Sequence, residues 1–231
     1  LGGAGYRIVY PAWELARYPE AWARELERHD EVWAASRFTA DAFASSVRVP
    51  VHHVPLPAQP AMTRQLSRRH FGISESAYVF VFFFDLTSYI ERKNPFALLS
   101  AFAKLRAARP YADVQLVMKA NNKQVDPAAF SRFLAAVRPL ERHALVIDHT
   151  LSDNEVKGLV RAGDAFVSLH RAEGFGFGLA EAMYFGKPVV ATAYSGNVDY
   201  MTPETSHLVP YRLVPVQEGQ YPFSAGQVWA E

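Results

Sequence analysis

Strand-like apolar runs alternate with helical patterns along most of the chain, and this alternation restricts the fold more than any other feature. Between the runs, apolar residues recur at helical spacing, as Leu98, Leu99, Phe102 and Leu105 do. Neighbouring parallel strands need crossover connections of this kind. The sequence therefore predicts an α/β fold with a doubly wound, Rossmann-like parallel sheet. The predicted strands follow a proline-rich linker at 55–60 and occupy 79–84, 114–118, 144–147, 165–169 and 188–191.

Three of the intervening helices have clear start signals. Asn94 and Asp126 each precede a proline, which places a capping side chain before a residue favoured at the first helical position. Ser152 and Glu155 have the spacing of a capping box, in which each side chain satisfies the other's exposed amide.

The first 60 residues carry a shorter version of the same pattern. They predict a second, incomplete Rossmann-like domain at 1–60, before a main domain at 61–231. The chain opens with neither methionine nor the regions of a signal peptide, so we expect its natural start to be missing. The short strands are predicted at 8–10, 32–34 and 51–54, with helices near 20–28 and 39–44.

The composition excludes several classes of function. The 24 Lys and Arg residues nearly balance the 23 Asp and Glu residues, so there is no overall positive charge to attract nucleic acid. No apolar run approaches the roughly 20 residues of a membrane span. Peripheral association with a membrane stays open. The absence of cysteine excludes disulfides and thiolate metal sites and is compatible with the cytoplasmic location that we expect.

Polar side chains follow each predicted strand of the main sheet. Ligands of open parallel sheets bind outside the carboxyl ends of the strands, where these side chains gather. We therefore expect a local cluster of cations on one edge of a nearly neutral protein. The polar residues after the strands, in chain order, are Asp85, Thr87, Ser88, Arg92, Lys93, Lys119, Asn121, Asn122, Asp148, His149, Thr150, His170, Arg171 and Glu173.

The strongest local motif is a glycine-rich turn between a strand and a helix. Gly174, Gly176 and Gly178 allow the backbone to approach a ligand closely, and the amides at the helix start favour an anion such as a diphosphate. Glu181 lies near the helix start and is suited to accept hydrogen bonds from a pair of ribose hydroxyls. Glu173 precedes the turn, where it is suited to sugar hydroxyls or to positive charge on a reacting anomeric carbon.

This motif resembles that of a known family. The motif consists of Glu173 and Glu181 with seven residues between them, followed by the segments 182–183 and 186–192. It is similar to the Glu-x7-Glu motif of the family 4 glycosyltransferases, which have the GT-B fold. The segments 92–95 and 168–172 also resemble the family, and the similarity extends from about Tyr78 to Pro210. A fainter similarity at 10–14 and 30–38 resembles the end of the family's N-terminal domain.

The resemblance implies transfer of a sugar from a nucleotide-diphosphate sugar to a carbohydrate or glycan acceptor, with retention of configuration and with no metal or other cofactor. No Asp-x-Asp triplet occurs, in agreement with metal independence. The resemblance assigns Glu181 to the ribose, Lys93 to the diphosphate, and Glu173 with the turn to sugar and diphosphate. The predicted catalytic residues are Glu173 and His170. The predicted donor-binding residues are Ser88, Arg92, Lys93, Lys119, His149, Thr150, Leu151, Arg171, Gly174, Phe175, Gly176, Phe177, Gly178 and Glu181.

One departure from the family weakens the diphosphate assignment. Members often carry an arginine just after the first strand of this domain, where this chain has Phe84-Asp85-Leu86. Arg92 and Lys119 are the candidates to replace that charge. We favour Lys119, because it emerges from the adjacent strand.

Simpler interpretations exist for each residue. Glu181 is suited to an interaction with the helix dipole, and the glycines are suited to a tight turn. Lys93 and Arg92 are suited to positions where solvent surrounds their charges. His170 is suited to orienting its loop. Two alternative functions also stay open, namely a donor-binding module without turnover of its own, and a nucleotide-sugar epimerase or sugar phosphorylase on the same fold.

Overall fold

The computed structural model describes residues 5–231, which form two parallel sheets and a C-terminal hairpin. The strands are β1 (Ile8–Val9), β2 (Glu31–Ala34), β3 (Val51–His53), β4 (Tyr78–Asp85), β5 (Val114–Asn121), β6 (Ala144–Ile147), β7 (Ala165–Ser168), β8 (Val189–Thr192), β9 (His207–Val209), β10 (Leu213–Pro215) and β11 (Val228–Ala230). The helices are α1 (Glu20–Leu26), α2 (Arg37–Ala44), α3 (Ile90–Lys93), α4 (Pro95–Ala108), α5 (Pro127–Val137), α6 (Asp153–Ala162) and α7 (Phe177–Tyr184).

The main sheet has six parallel strands in the order β6-β5-β4-β7-β8-β9. The chain moves outward from β4 to β6 and then returns to place β7 on the other side of β4, so the winding reverses between β4 and β7. The predicted doubly wound sheet is therefore confirmed. Ligands of such sheets bind where the strand order reverses.

The two strands at the reversal separate toward their carboxyl ends. β4 pairs with β5 over its whole length, from Tyr78 to Asp85, but it pairs with β7 only at Phe80 and Val81. Beyond that point no ladder joins them. The separation leaves a crevice between the end of β4 and the segment that follows β7.

Both faces of the main sheet are buried, which explains the continuous apolar sequence of β4. Phe82 and Phe84 lie on one face with the apolar side chains of α4 and α5. Val79 and Val81 lie on the other face with those of α6 and α7. Successive strand residues point to opposite faces, so each face receives every second side chain.

The predicted helix starts are confirmed. Asn94 accepts a hydrogen bond from the amide of Ala97, and Asp126 accepts one of 2.8 Å from the amide of Ala129. Ser152 and Glu155 form the expected reciprocal capping box.

The small sheet has the order β1-β2-β3, is parallel and packs with α1 and α2. Its hydrophobic core contains Trp13, Leu15 and Phe43, but it also contains Tyr221 and Trp229 from the end of the chain. The core of the first 60 residues therefore crosses the domain boundary predicted at residue 60. We propose that residue 60 still separates the two sheets, and that residues 213–231 belong to the core of the small sheet.

The sequence analysis missed the last three strands, β9, β10 and β11. Each has only three residues, which is too short for a recognisable period. Within residues 5–231, no helix has both the length and the apolar composition that a membrane crossing requires.

We expect the C-terminal hairpin to be essential to the small sheet's stability. Trp229 is 1% exposed in the core that it shares with Trp13 and Leu15. Trp229→Ala should lower the free energy of unfolding by about 3–5 kcal/mol, the usual cost of removing a buried tryptophan. Urea denaturation followed by circular dichroism measures this change. Leu213→Ala, on the exposed side of the same hairpin, is the control and should have little effect. Equal effects of the two substitutions would contradict the shared core.

Candidate functional site

A cavity of about 600 Å³ opens at the carboxyl ends of β4 and β7. The glycine-rich turn forms one wall, and the segment after β1 forms the opposite wall. Six charged side chains contribute to its lining, namely Glu14, Asp85, Arg92, Lys93, Glu173 and Glu181. The remaining predicted site residues on its surface are Ser88, Gly174, Phe175, Gly176, Phe177 and Gly178.

The turn is fixed by close contacts between backbone segments. A Cβ atom on Gly174 would lie 2.6 Å from the carbonyl oxygen of Trp13, and one on Gly196 would lie 2.2 Å from the carbonyl oxygen of Gly174. Both positions therefore exclude any side chain. Ser36 donates a hydrogen bond of 2.6 Å to the carbonyl of Gly174 from the small-sheet side. The turn is thus held between the two parts of the protein.

Gly176 caps the start of α7 with a φ of 86°, in the left-handed region that favours glycine. Phe177 and Gly178 begin the helix directly at the cavity. The free amides of the first turn of α7 therefore lie beside the cavity, and free amides at a helix start favour negative charge.

Glu173 is buried and bonded to two cations. Its Oε1 lies 2.5 Å from Lys93 Nζ, and its Oε2 lies 3.2 Å from Arg92 Nη1. Burial alone would raise the pKa of this carboxyl, but Lys93 and Arg92 outweigh it and lower the pKa to about 2. Glu173 is therefore a carboxylate at neutral pH. Its amide donates to Ser195 Oγ at 2.8 Å, which fixes the backbone as well.

Arg92 positions Glu173. Its guanidinium is 3% exposed and donates to the carbonyls of Ala172, at 2.8 Å, and Ser88, at 3.1 Å. Glu14 Oε1 lies 3.7 Å from Arg92 Nη2. Arg92 thus connects carboxylates on opposite walls of the cavity. Its predicted contact with a donor stays a prediction.

Glu181 lines the cavity from α7 and is buried. Within residues 5–231 no side chain or amide donates a hydrogen bond to its carboxylate, and burial raises its pKa. A carboxylate without a hydrogen-bond donor is stabilised when a ligand supplies hydroxyl groups that donate to it. Its position supports the hydroxyl-binding role expected from the sequence.

His170 lies below the cavity and does not line it. The ring is 1% exposed, with Nδ1 3.1 Å from Ser168 Oγ and Nε2 3.1 Å from Asn197 Oδ1. Burial lowers its pKa. The ring therefore links the loops after β7 and β8, as expected if His170 orients its loop. The geometry of the cavity gives no support to the predicted catalytic contact.

Lys119 is also absent from the cavity surface. It is 1% exposed, and its ammonium donates to the carbonyl of Ala120 at 2.9 Å and to the side chain of Asn121. In this structure Asn121, and not Lys119, lines the cavity, and the predicted role of Lys119 as the replacement for the missing arginine stays a prediction.

The other predicted residues lie elsewhere. Arg171 bonds to Glu231 at 2.5 Å and lies over the ring of Trp229, so it secures the C-terminal hairpin. His149, Thr150 and Leu151 follow β6 at the far edge of the sheet, two strands from the reversal, and none of them lines the cavity. Their predicted contact with the donor stays a prediction.

Two charged residues of the cavity were not predicted as site residues. Glu14 follows β1, and Asp85 ends β4. The rule that ligands bind at the carboxyl ends of strands applies to both, to Asp85 in the main sheet and to Glu14 in the small sheet. No group of three or more His, Cys, Asp or Glu side chains arranged to hold a metal ion occurs in the part of the chain that the structure describes.

The Glu173 cluster should make stability depend on acidity. A carboxyl whose pKa falls from 4.5 to about 2 on folding stabilises the protein above pH 4.5, and this contribution is lost as the pH falls toward 2. Glu173→Gln should therefore reduce the free energy of unfolding at pH 7, and the difference from wild type should shrink by about 3 kcal/mol between pH 5 and pH 2. Urea titrations across this range measure the difference. The control is Glu75→Gln at an exposed position, and a difference between Glu173→Gln and wild type that stays the same from pH 5 to pH 2 would contradict the cluster.

Solved structures of larger proteins are similar to this chain. An Anabaena protein, Alr3699/HepE, in complex with UDP and glucose has a TM-score of 0.66 and 19% identity, over 84% of this chain and 55% of that one. The pneumococcal O-GlcNAc transferase GtfA in complex with UDP and GlcNAc has a TM-score of 0.61 and 12% identity, over 88% of this chain and 41% of that one.

A UDP-forming α,α-trehalose-phosphate synthase from Burkholderia xenovorans has a TM-score of 0.70 and 12% identity, over 88% of this chain and 56% of that one. The chain thus spans roughly half the length of these proteins, and likeness at this identity establishes the fold. No curated protein matches the sequence significantly. Residues 64–210 match the family described as glycosyl transferases group 1. This range contains the main sheet and most of the residues that line the cavity. The chain therefore belongs to the glycosyl transferases group 1 family.

Proposed function

We propose that this chain binds the nucleotide-sugar donor of a glycosyl transfer that retains anomeric configuration and needs no metal. The observation that carries the proposal is the arrangement of Glu173 and Glu181 on either side of the glycine-rich turn, in a cavity where the strand order reverses. The family membership supports nucleotide-sugar binding. Retention, metal independence and a cytoplasmic location are part of the proposal.

The diphosphate would lie at the start of α7. Phe177 and Gly178 line the cavity there, and Lys93 is the more exposed of the two cations that line it. Lys93 is less buried than Arg92, so its ammonium is the group that is able to leave Glu173 for a phosphate oxygen. Fixed amides and a cation directed at a leaving diphosphate stabilise its developing charge.

The two glutamates would hold the parts of the donor on either side of the diphosphate. Glu181 offers a buried acceptor without a donor of its own, which suits the two hydroxyls of a ribose. Glu173 is kept charged by Arg92 and Lys93, which suits it to sugar hydroxyls and to positive charge at an anomeric carbon. The acceptor would enter from the side of Glu14, where the cavity wall belongs to the small sheet.

Binding should be detectable by thermal shift. We expect one or more of UDP, GDP, ADP and dTDP to raise the melting temperature in the presence of EDTA, with a shift that grows with the logarithm of ligand concentration. Glu181→Gln should weaken that binding about tenfold, because it removes a charged acceptor of hydroxyl hydrogen bonds. Glu218→Gln, on the exposed surface, is the matched control.

Strict dependence of binding on added Mg²⁺ would contradict metal independence, and equal binding by both variants would contradict the role of Glu181. Turnover separates the remaining alternatives. Interconversion of a supplied nucleotide sugar without acceptor would indicate an epimerase, phosphate-dependent sugar release a phosphorylase, and tight binding without turnover a donor-binding module.

A further inference from the structure

Asp85 lies in the donor cavity at the carboxyl end of β4, where the family often has a cation. Its side chain is fixed by three hydrogen bonds. Oδ1 accepts from the amide of Thr87 at 2.8 Å and from its hydroxyl at 2.6 Å, and Oδ2 accepts from Asn122 at 2.7 Å. These bonds hold the carboxylate in place at the crevice between β4 and β7.

The charge of Asp85 is not neutralised by contact. In the region from 5 to 231, no lysine or arginine nitrogen lies within 4.0 Å of its carboxylate. The positive charge that acts on Asp85 without contact is that of Lys119, which is buried. The hydrogen bonds and Lys119 together outweigh burial and keep the pKa of Asp85 below its usual value, so the group is charged at neutral pH.

The cavity as a whole carries an excess of negative charge. Four carboxylates line it, and the two cations that line it, Arg92 and Lys93, are both bonded to Glu173. An anionic ligand therefore meets attraction at α7 and Lys93, and repulsion at the end of β4. Repulsion between like charges acts over several ångströms, so it does not require direct contact between the ligand and Asp85.

We propose that Asp85 determines selectivity by charge, weakening the binding of a free nucleoside diphosphate more than that of the corresponding nucleotide sugar. This inference rests on the proposed function. In that reaction the bond between the anomeric carbon and the phosphate oxygen breaks, its electron pair stays on the diphosphate, and a bond forms between that carbon and the acceptor oxygen. The acceptor's proton passes to the diphosphate and then to water, because the terminal phosphate's second pKa is about 6.

The product thus carries about one more negative charge than the donor. A fixed carboxylate in the cavity would then favour exchange of product for donor after each transfer. The same carboxylate could serve only to shape the turn at Thr87, in which case the charge of a ligand would make no difference to the effect of replacing it.

A graded series of ligands separates these two roles. Isothermal titration calorimetry would compare uridine, UDP-glucose and UDP, or the same three forms of another base if that base gives the larger thermal shift. For Asp85→Asn we expect no change for uridine, binding about threefold tighter for UDP-glucose, and binding about tenfold tighter for UDP. Raising the salt concentration should reduce both gains.

Asp148→Asn is the matched control, because Asp148 is also near Lys119 but lies outside the cavity and pairs with Lys123. It should leave all three affinities unchanged. Asp85→Ser is a second variant, since a serine hydroxyl is able to accept from the amide of Thr87 without carrying charge. It should reproduce the graded gain if Asp85→Asn fails to fold.

Two outcomes would overturn the inference while leaving nucleotide-sugar binding intact. One is an equal effect of a variant on the affinities for UDP and UDP-glucose. The other is weaker binding of UDP by every folded variant than by wild type. If neither wild type nor variant binds any nucleotide, the proposed function fails and this inference fails with it. If only the uncharged variants bind UDP, the inference is supported in its strongest form.

Discussion

The buried carboxylate of Glu173 connects more of this structure than any other group. Arg92 and Lys93 hold it from α3, and Ser195 holds its amide from the loop after β8. Through Arg92 it reaches Glu14 on the opposite wall, and Glu14 accepts a hydrogen bond from Tyr221 of the C-terminal segment. Burying a carboxylate costs free energy, and matching its charge in this way offsets that cost. The glycine-rich turn, the small sheet and the end of the chain therefore share one electrostatic centre.

Much of the fold could be predicted, because its signals are local. The apolar run of β4, the proline-marked starts of α4 and α5 and the capping box of α6 each depend on a few neighbouring residues. The reversal of strand order follows from the doubly wound class. The hairpin of β10 and β11 could not be predicted in the same way, because its stability comes from distant partners such as Trp13 rather than from its own sequence.

The candidate site was predictable where its residues belong to the glycine-rich motif and less so where single residues follow strands. Glu173 and Glu181 lie in one motif, so their spacing fixes their relation to the turn. Lys119 and His170 follow strands as the cavity residues do, yet both point beneath the surface. Sequence position gives the end of a strand but not the direction of a side chain there, and for long side chains that direction decides the contact. Glu14 and Asp85 are the converse case, since both reach the cavity without belonging to a motif.

The shared core of the first 60 residues and residues 213–231 has a consequence for synthesis. Trp13 and Leu15 leave the ribosome long before Tyr221 and Trp229, which pack in the same core. The main sheet has its own two cores and is able to condense before then. The core of the small sheet stays incomplete, with apolar surface exposed, until residues 213–231 have been translated, and contacts so distant in sequence form slowly. During that interval the nascent small sheet would be a natural client for a chaperone.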